Sequence, residues 1–251
     1  MVSLDSLIAY LNQILQPELF RDYCPNGLQV EGKPTIRTLV TGVTASQALI
    51  DAAIKINADA ILVHHGFFWK NETPNIVGMK YRRIRALLTN DISLIAYHLP
   101  LDAHLSYGNN IQLGKLLGLE EINTFCVEPN LQLGFMAKLP SPLTGEQFAE
   151  LIATKLARVP LHIKADNLIS QVAWCTGGAQ DYIMQAIDQK ADAYISGEIS
   201  ERTVHLANEN NIHFYAAGHH ATERYGVKAL GQHLAQQFQI SHHFIDIDNP
   251  V

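Results

Sequence analysis

Apolar residues follow two rhythms along this chain. Short, nearly continuous apolar runs at 36–43 (IRTLVTGV), 60–63 (AILV), 92–97 (ISLIAY) and 212–217 (IHFYAA) predict buried strands. Between them apolar positions recur every three or four residues, which predicts helices. The first is 3–16, with Ser3 as N-cap. Others are 45–56, with Thr44 as N-cap and one face at 45, 48, 49, 52, 53 and 56, a basic-faced 78–89, then 109–117 and 224–238. Strands alternating with helices at this spacing argue for an α/β fold with mainly parallel sheets.

Residues 120–168 break that rhythm. Pro129, Pro140, Pro142 and Pro160 punctuate a strand at 133–139, a helix at 144–157 and a strand at 161–165, and Thr144 with Gln147 fits a capping box. The expected division is therefore an N-terminal α/β lobe at 1–119, a small inserted α+β subdomain at 120–168 and a C-terminal α/β lobe at 169–251. The outer lobes look alike. Thr41-Gly42 precedes a helix ending in Ala58-Asp59-Ala60, and Thr176-Gly177 precedes one ending in Ala191-Asp192-Ala193. The strand at 92–97 runs into His98 with Asp102 four later, and the strand at 212–217 runs into His219 with Glu223 four later. A duplication predicts two similar lobes facing each other, with both His-x-x-x-acid turns opening on one cleft.

Composition narrows the class. The chain has 251 residues, 47% of them hydrophobic and 17% charged, with a formal charge of −6. That suits a globular enzyme and gives no general affinity for nucleic acid. Lys80, Arg82, Arg83 and Arg85 form a local basic run, which reads either as a solvated helix face or as a contact for nucleotide or single-stranded nucleic acid phosphates. Cys24, Cys126 and Cys175 are odd in number and far apart, a reducing-compartment pattern without a disulfide framework. The N-terminus lacks a basic n-region, and no apolar run reaches membrane-spanning length, so a cytoplasmic protein without membrane contact is expected.

Twelve histidines are many for this length, and several fall where strands end. Open α/β sheets place ligands at the carboxyl ends of strands. His64-His65 stands at such an end, where adjacent imidazoles can each take one of two metals. Asp102 can bridge two cations through its two oxygens, and His219 with Glu223 points one way from a helical turn. His64, His65, Asp102, His219 and Glu223 thus form a candidate ligand set of nitrogen and oxygen donors, permissive for zinc, iron or manganese. His98 reads either as a ligand or as a group orienting one. His220 reads as a pocket residue, and Glu198, matching His65 in the repeat, as an acid/base or outer-shell group. The turn Thr176-Gly177-Gly178-Ala179 reads as a tight turn or an anion cradle. Neither a Walker A motif nor G-x-G-x-x-G is present.

The stretches DYCPNGLQVEG, VTGVTASQAL, ILVHHGFFW, HLPLDAH, AWCTGGAQ, ISGEIS and FYAAGHHATER together closely resemble the bacterial members of the GTP cyclohydrolase 1 type 2 homologue family, dinuclear-metal proteins also described as radiation-resistance proteins. The resemblance runs from about residue 20 to the C-terminus and is weakest in 120–168. It implies a two-lobed α/β subunit, a homohexameric ring with metal sites facing its interior, and two divalent ions per subunit on His64, His65, Asp102, His219 and Glu223. Many relatives carry Tyr where this chain has His220. Two functions follow as expectations. One is a dinuclear metal-dependent hydrolase, cyclohydrolase-like on a purine nucleotide or another small phosphorylated metabolite, with His98, His220 or Glu198 moving the proton. The other is a non-catalytic metal-binding ring that acts as a scaffold in DNA damage, nucleic-acid maintenance or stress resistance.

Overall fold

Strands and helices alternate through most of the chain, in an α/β arrangement. The computed structural model describes residues 1–128 and 131–251; Pro129, one of the breaks read from the sequence, lies outside them. The chain forms two compact units. One comprises Met1–Gly108 and Gly226–Asp248, the other Asn109–Tyr225 and Asn249–Val251. Among the described residues no helix is long and apolar enough to cross a membrane.

The first unit is built on a five-stranded sheet. Strands Ser241–Phe244, Thr38–Thr44, Ala60–His65 and Ser93–Ala96 run parallel, and Gly27–Val30 closes the edge antiparallel to Ser93–Ala96. Side chains alternate across a strand, and the apolar runs feed two cores as a result. Leu39, Ala60, Leu62, Ile95 and Tyr97 enter one, while Val40, Ile61, Val63, Leu94 and Ala96 enter the other. Helix Leu4–Leu15 covers the first face with Leu4, Leu7, Leu11 and Leu15. Helices Gln47–Lys55 and Gly78–Thr89 cover the second with Leu49, Ile50, Ala53, Ile84 and Leu87. Each buried aliphatic side chain contributes about 1.5–3 kcal/mol. Ser3 caps the opening helix as expected. The second helix is capped by Ser46 in place of Thr44, because Thr44 is the last residue of its strand and its hydroxyl faces His65.

The second unit has a six-stranded sheet. Its centre, Ile169–Trp174, Ala193–Ser196 and His213–Ala216, is parallel. Leu131–Leu143 and Leu161–Ile163 flank it antiparallel, and Glu120–Glu128 pairs with Leu131–Leu143. The strands of 120–168 thus pair into the same sheet as those of 169–217. The expected capping box is present, with Thr144 accepting from the Gln147 amide and the Gln147 side chain accepting from the Thr144 amide.

The internal likeness has a physical basis in the two Ala-Asp-Ala runs. Asp59 accepts from the Arg37 and Thr38 amides at 2.9 and 3.0 Å, tying the start of one strand to the next. Asp192 accepts from the Ser170 and Gln171 amides, both at 2.9 Å. The ladders also agree: the Tyr97 amide donates to the Val63 carbonyl, and the Ala217 amide to the Ser196 carbonyl. Counted from those bonds, His98 occupies the place of Gly218. The two His-x-x-x-acid turns are therefore offset by one residue, a refinement of the sequence pairing of His98 with His219.

Candidate metal centre

In the first unit the donors gather at the carboxyl ends of the parallel strands. His64 and His65 are the last residues of Ala60–His65. Strict alternation would send them to opposite faces, yet their ring centroids are 4.5 Å apart, so the strand end relaxes that constraint. His98 follows Ser93–Ala96, with its ring 4.9 Å from His64 and 5.7 Å from His65. Nitrogens of His64, His65 and His98 lie within 4.8 Å of one another. Asp102 sits in the one-turn helix Leu99–Ala103, whose amides at Leu101 and Asp102 donate to the His98 carbonyl. That turn brings Asp102 Oδ1 to 3.5 Å from His64 Nε2. His64 is fully buried and Asp102 nearly so.

Each of these imidazoles is held from behind. His64 Nδ1 donates to the Tyr97 carbonyl at 3.1 Å, His65 Nδ1 is hydrogen-bonded with Thr44 Oγ1 at 3.1 Å, and His98 Nδ1 donates to Asp22 Oδ1 at 2.7 Å. Fixing Nδ1 in this way sets the tautomer and turns Nε2 toward a ligand. Asp22, which no local sequence pattern singles out as a site residue, also accepts from Tyr23 and Leu99 amides and from the Asn26 amide group. Burial opposes its charge, but His98, Asn26 and the Tyr23 amide hold its carboxyl below the ordinary range. Every oxygen of Asp22 is thereby occupied, so it serves as an anchor for His98. The only signal for it in the sequence is its place in DYCPNGLQVEG.

In the second unit, helix His219–Phe238 begins directly after Gly218, earlier than the 224 expected from periodicity. Its first turn places His219 Nε2 3.2 Å from Glu223 Oε2, and Glu223 is buried. Glu198 Oε1 accepts from His219 Nδ1 at 2.6 Å. Burial opposes a charge on His219, but Glu223 and then Glu198 outweigh it and hold the imidazolium up to about 9. Glu198 therefore stands where an outer-shell carboxylate stands, behind the ring. His220 is buried, and its amide donates to the Val251 carbonyl.

The Thr176-Gly177-Gly178-Ala179 turn is packed tightly, and three of its amides are already engaged. Those of Thr176, Gly177 and Ala179 donate to Asn110 Oδ1, Thr222 Oγ1 and Ser196 Oγ. That favours the tight-turn reading over an anion cradle. Gly177 lies at φ +70, and a Cβ there would come within 2.1 Å of Glu223 Oε1. The glycine is needed because the backbone runs against a candidate ligand.

A cation fits these donors. Two ligands at about 2.0–2.1 Å from a tetrahedral ion stand roughly 3.3 Å apart. His64 Nε2–Asp102 Oδ1 at 3.5 Å and His219 Nε2–Glu223 Oε2 at 3.2 Å both match that spacing. Each unit thus carries a nitrogen–oxygen pair with its imidazole oriented from behind. Glu198→Ala should lower metal affinity by about 10–100-fold with the circular dichroism unchanged. Competition against a chelating indicator measures this. An unaltered affinity with reduced turnover would instead make Glu198 an acid/base.

Known proteins are similar to this chain in sequence and fold. The family model described as Duf34/NIF3 (NGG1p interacting factor 3) matches residues 2–250. The chain is similar to the GTP cyclohydrolase 1 type 2 homolog of Vibrio cholerae, 56% identical over 253 residues that cover 98% of each chain. Among solved structures it is similar to protein ybgI, a structural-genomics structure of unknown function, with a TM-score of 0.93, 48% identity and 100% of both chains covered. TTHA1606 from Thermus thermophilus matches with a TM-score of 0.90 and 32% identity, again over 100% of both chains.

Proposed function

The chain belongs to the Duf34/NIF3 family, and from that premise we propose that His64, His65 and Asp102 of the first unit and His219 and Glu223 of the second are the ligands of two divalent cations, zinc, iron or manganese, in a hydrolase. The observation that carries the reading is the matched pair of nitrogen–oxygen spacings, one in each unit, with every imidazole fixed through Nδ1. Bound cations supply Lewis acidity and an activated water. The chain's own groups supply the rest. Tyr97, Thr44 and Glu198 hold the donor rings. His98, fixed by Asp22 and beside His64 and His65 without belonging to the proposed ligand set, is the first candidate to move a proton at Nε2. His220, buried in the first turn of its helix, is the second.

The curated relatives are named GTP cyclohydrolase 1 type 2 homolog, which supports a purine nucleotide as the proposed substrate, and another small phosphorylated metabolite is the wider form of the proposal. Assembly as a homohexamer and a cytoplasmic location belong to the same proposal. Protein loaded with each metal should contain close to two ions per chain and turn over GTP or a member of a nucleotide panel. Asp102→Ala and His219→Ala should each abolish that turnover. A metal content well below two per chain after careful loading would sink the dinuclear reading. The scaffold reading draws on the basic run, and helix Gly78–Thr89 does leave Arg82 and Arg85 exposed. Absence of turnover, together with salt-sensitive binding to single-stranded DNA, would favour it.

A further inference from the structure

A cavity of about 260 Å³ opens beside helix Gly78–Thr89. Phe67, Val77 and Met79 form its apolar side, and Glu72, Lys80 and Arg83 its polar side. It is built wholly from the first unit and contains none of the candidate metal donors. Its volume lies just below the roughly 300–1,000 Å³ of ordinary ligand pockets, which limits it to a small ligand.

The basic run is split by this cavity. Arg82 and Arg85 face solvent, whereas Lys80 and Arg83 line the wall. Lys80 Nζ lies 3.5 Å from Glu72 Oε2, donates to the Thr73 carbonyl at 3.2 Å and sits 4.9 Å over the Phe68 ring. Arg83 differs. Its Nε is buried and meets no hydrogen-bond partner among the described residues. Burial draws its pKa below the ordinary value. Arg83 as a whole is half-buried, and a buried donor left unmatched is costly unless a ligand completes it. Two cations and one carboxylate leave the wall with a net charge of +1 (2 − 1). The helix also begins at Val77 without a side-chain cap and without an acidic residue in its first turn, which adds positive potential at the same end.

We propose that this cavity binds a small organic oxyanion, a carboxylate or phosphate monoester on an apolar or aromatic body. Arg83 matches two oxygens with its planar fork, Lys80 adds charge, and Phe67, Val77 and Met79 enclose the body. The site is separate from the metal reading and does not depend on it.

The test uses full-length, metal-loaded protein and ligand-observed NMR with benzoate, phenyl phosphate and inorganic phosphate, and with benzyl alcohol as the uncharged control. Benzoate or phenyl phosphate should bind saturably and more tightly than inorganic phosphate or the alcohol. Arg83→Gln should weaken that binding about ten-fold or more. Met79→Trp should abolish it by filling the cavity, and because Met79 is 56% exposed the fold will tolerate the change. Asp102→Ala should leave it unaltered. The proposal is overturned if neither aromatic anion binds, if inorganic phosphate binds as tightly, or if Asp102→Ala removes the binding. Unchanged affinity in Arg83→Gln overturns it too, as does unchanged affinity in Met79→Trp should Arg83→Gln fail to fold.

Discussion

Gly177→Ala is expected to leave the fold in place and to weaken metal binding by more than the roughly 10–100-fold that loss of an outer-shell partner costs. The added methyl would lie 2.1 Å from Glu223 Oε1 and 3.3 Å from His219 Nε2, and both are candidate ligands in the second unit. The nearest obstruction is the far end of a glutamate side chain, which can swing away where backbone could not. The chain then keeps its turn and the site loses its carboxylate. A second, smaller effect comes from φ +70, where alanine is strained by about 1 kcal/mol. Gly118→Ala separates the two. Gly118 has φ +76, and a methyl placed there would meet nothing within 4 Å, so its variant carries the backbone strain alone. Metal titration with a competing chelator should show a large loss for Gly177→Ala and none for Gly118→Ala, while both melt slightly early. Equal metal affinity in the two variants would remove Glu223 from the ligand set.

The ends of strands are legible in the sequence, and the supports behind them are not. His64, His65, His98 and Asp102 stand out because apolar runs stop abruptly at them, and ligand-bearing residues of α/β sheets sit at such stops. Helix Gly78–Thr89 falls on the residues its periodicity predicts. The roles of Asp22 and Thr44 depend on contacts 76 and 21 residues away in the chain, which no local pattern records. The last helix starts before its apolar period does, because His219 and Glu223 are spaced by chemistry, not by burial of an apolar face. The strand Glu120–Glu128 is hidden for a related reason. Only Phe125 and Val127 of its side chains are buried, too few to set an alternation. Proline spacing and compactness also divide the chain differently, since prolines mark breaks in local structure while compactness follows which strands share a sheet.

Trp174→Ala should be the most destabilising single change in the second unit, by about 3–5 kcal/mol. Trp174 is fully buried at the end of strand Ile169–Trp174, within a core that includes Phe135, Ile195 and Tyr215. Its Nε1 donates to the Asn110 carbonyl at 2.9 Å, and Gly114 leaves the space its ring fills, since a Cβ there would come within 2.6 Å of it. Truncation empties a large volume and strips a buried carbonyl of its donor, and both effects act in the same direction. Against a total of about 5–15 kcal/mol for a typical domain, this is a large share. Urea denaturation should show a much lower midpoint, and Trp174→Phe a smaller fall, because the ring volume is mostly kept while the hydrogen bond is lost. The same residue bears on the metal donors through the chain. Asn110, which accepts from Trp174 through its carbonyl, also accepts from the Thr176 amide through Oδ1 at 2.9 Å, and Thr176 leads into Gly177 beside Glu223. Trp174→Ala should therefore lose stability and metal affinity together, whereas Gly177→Ala loses metal affinity with its stability nearly intact. If Trp174→Ala binds metal as tightly as the parent protein under folding conditions, the Asn110 link does not position Glu223.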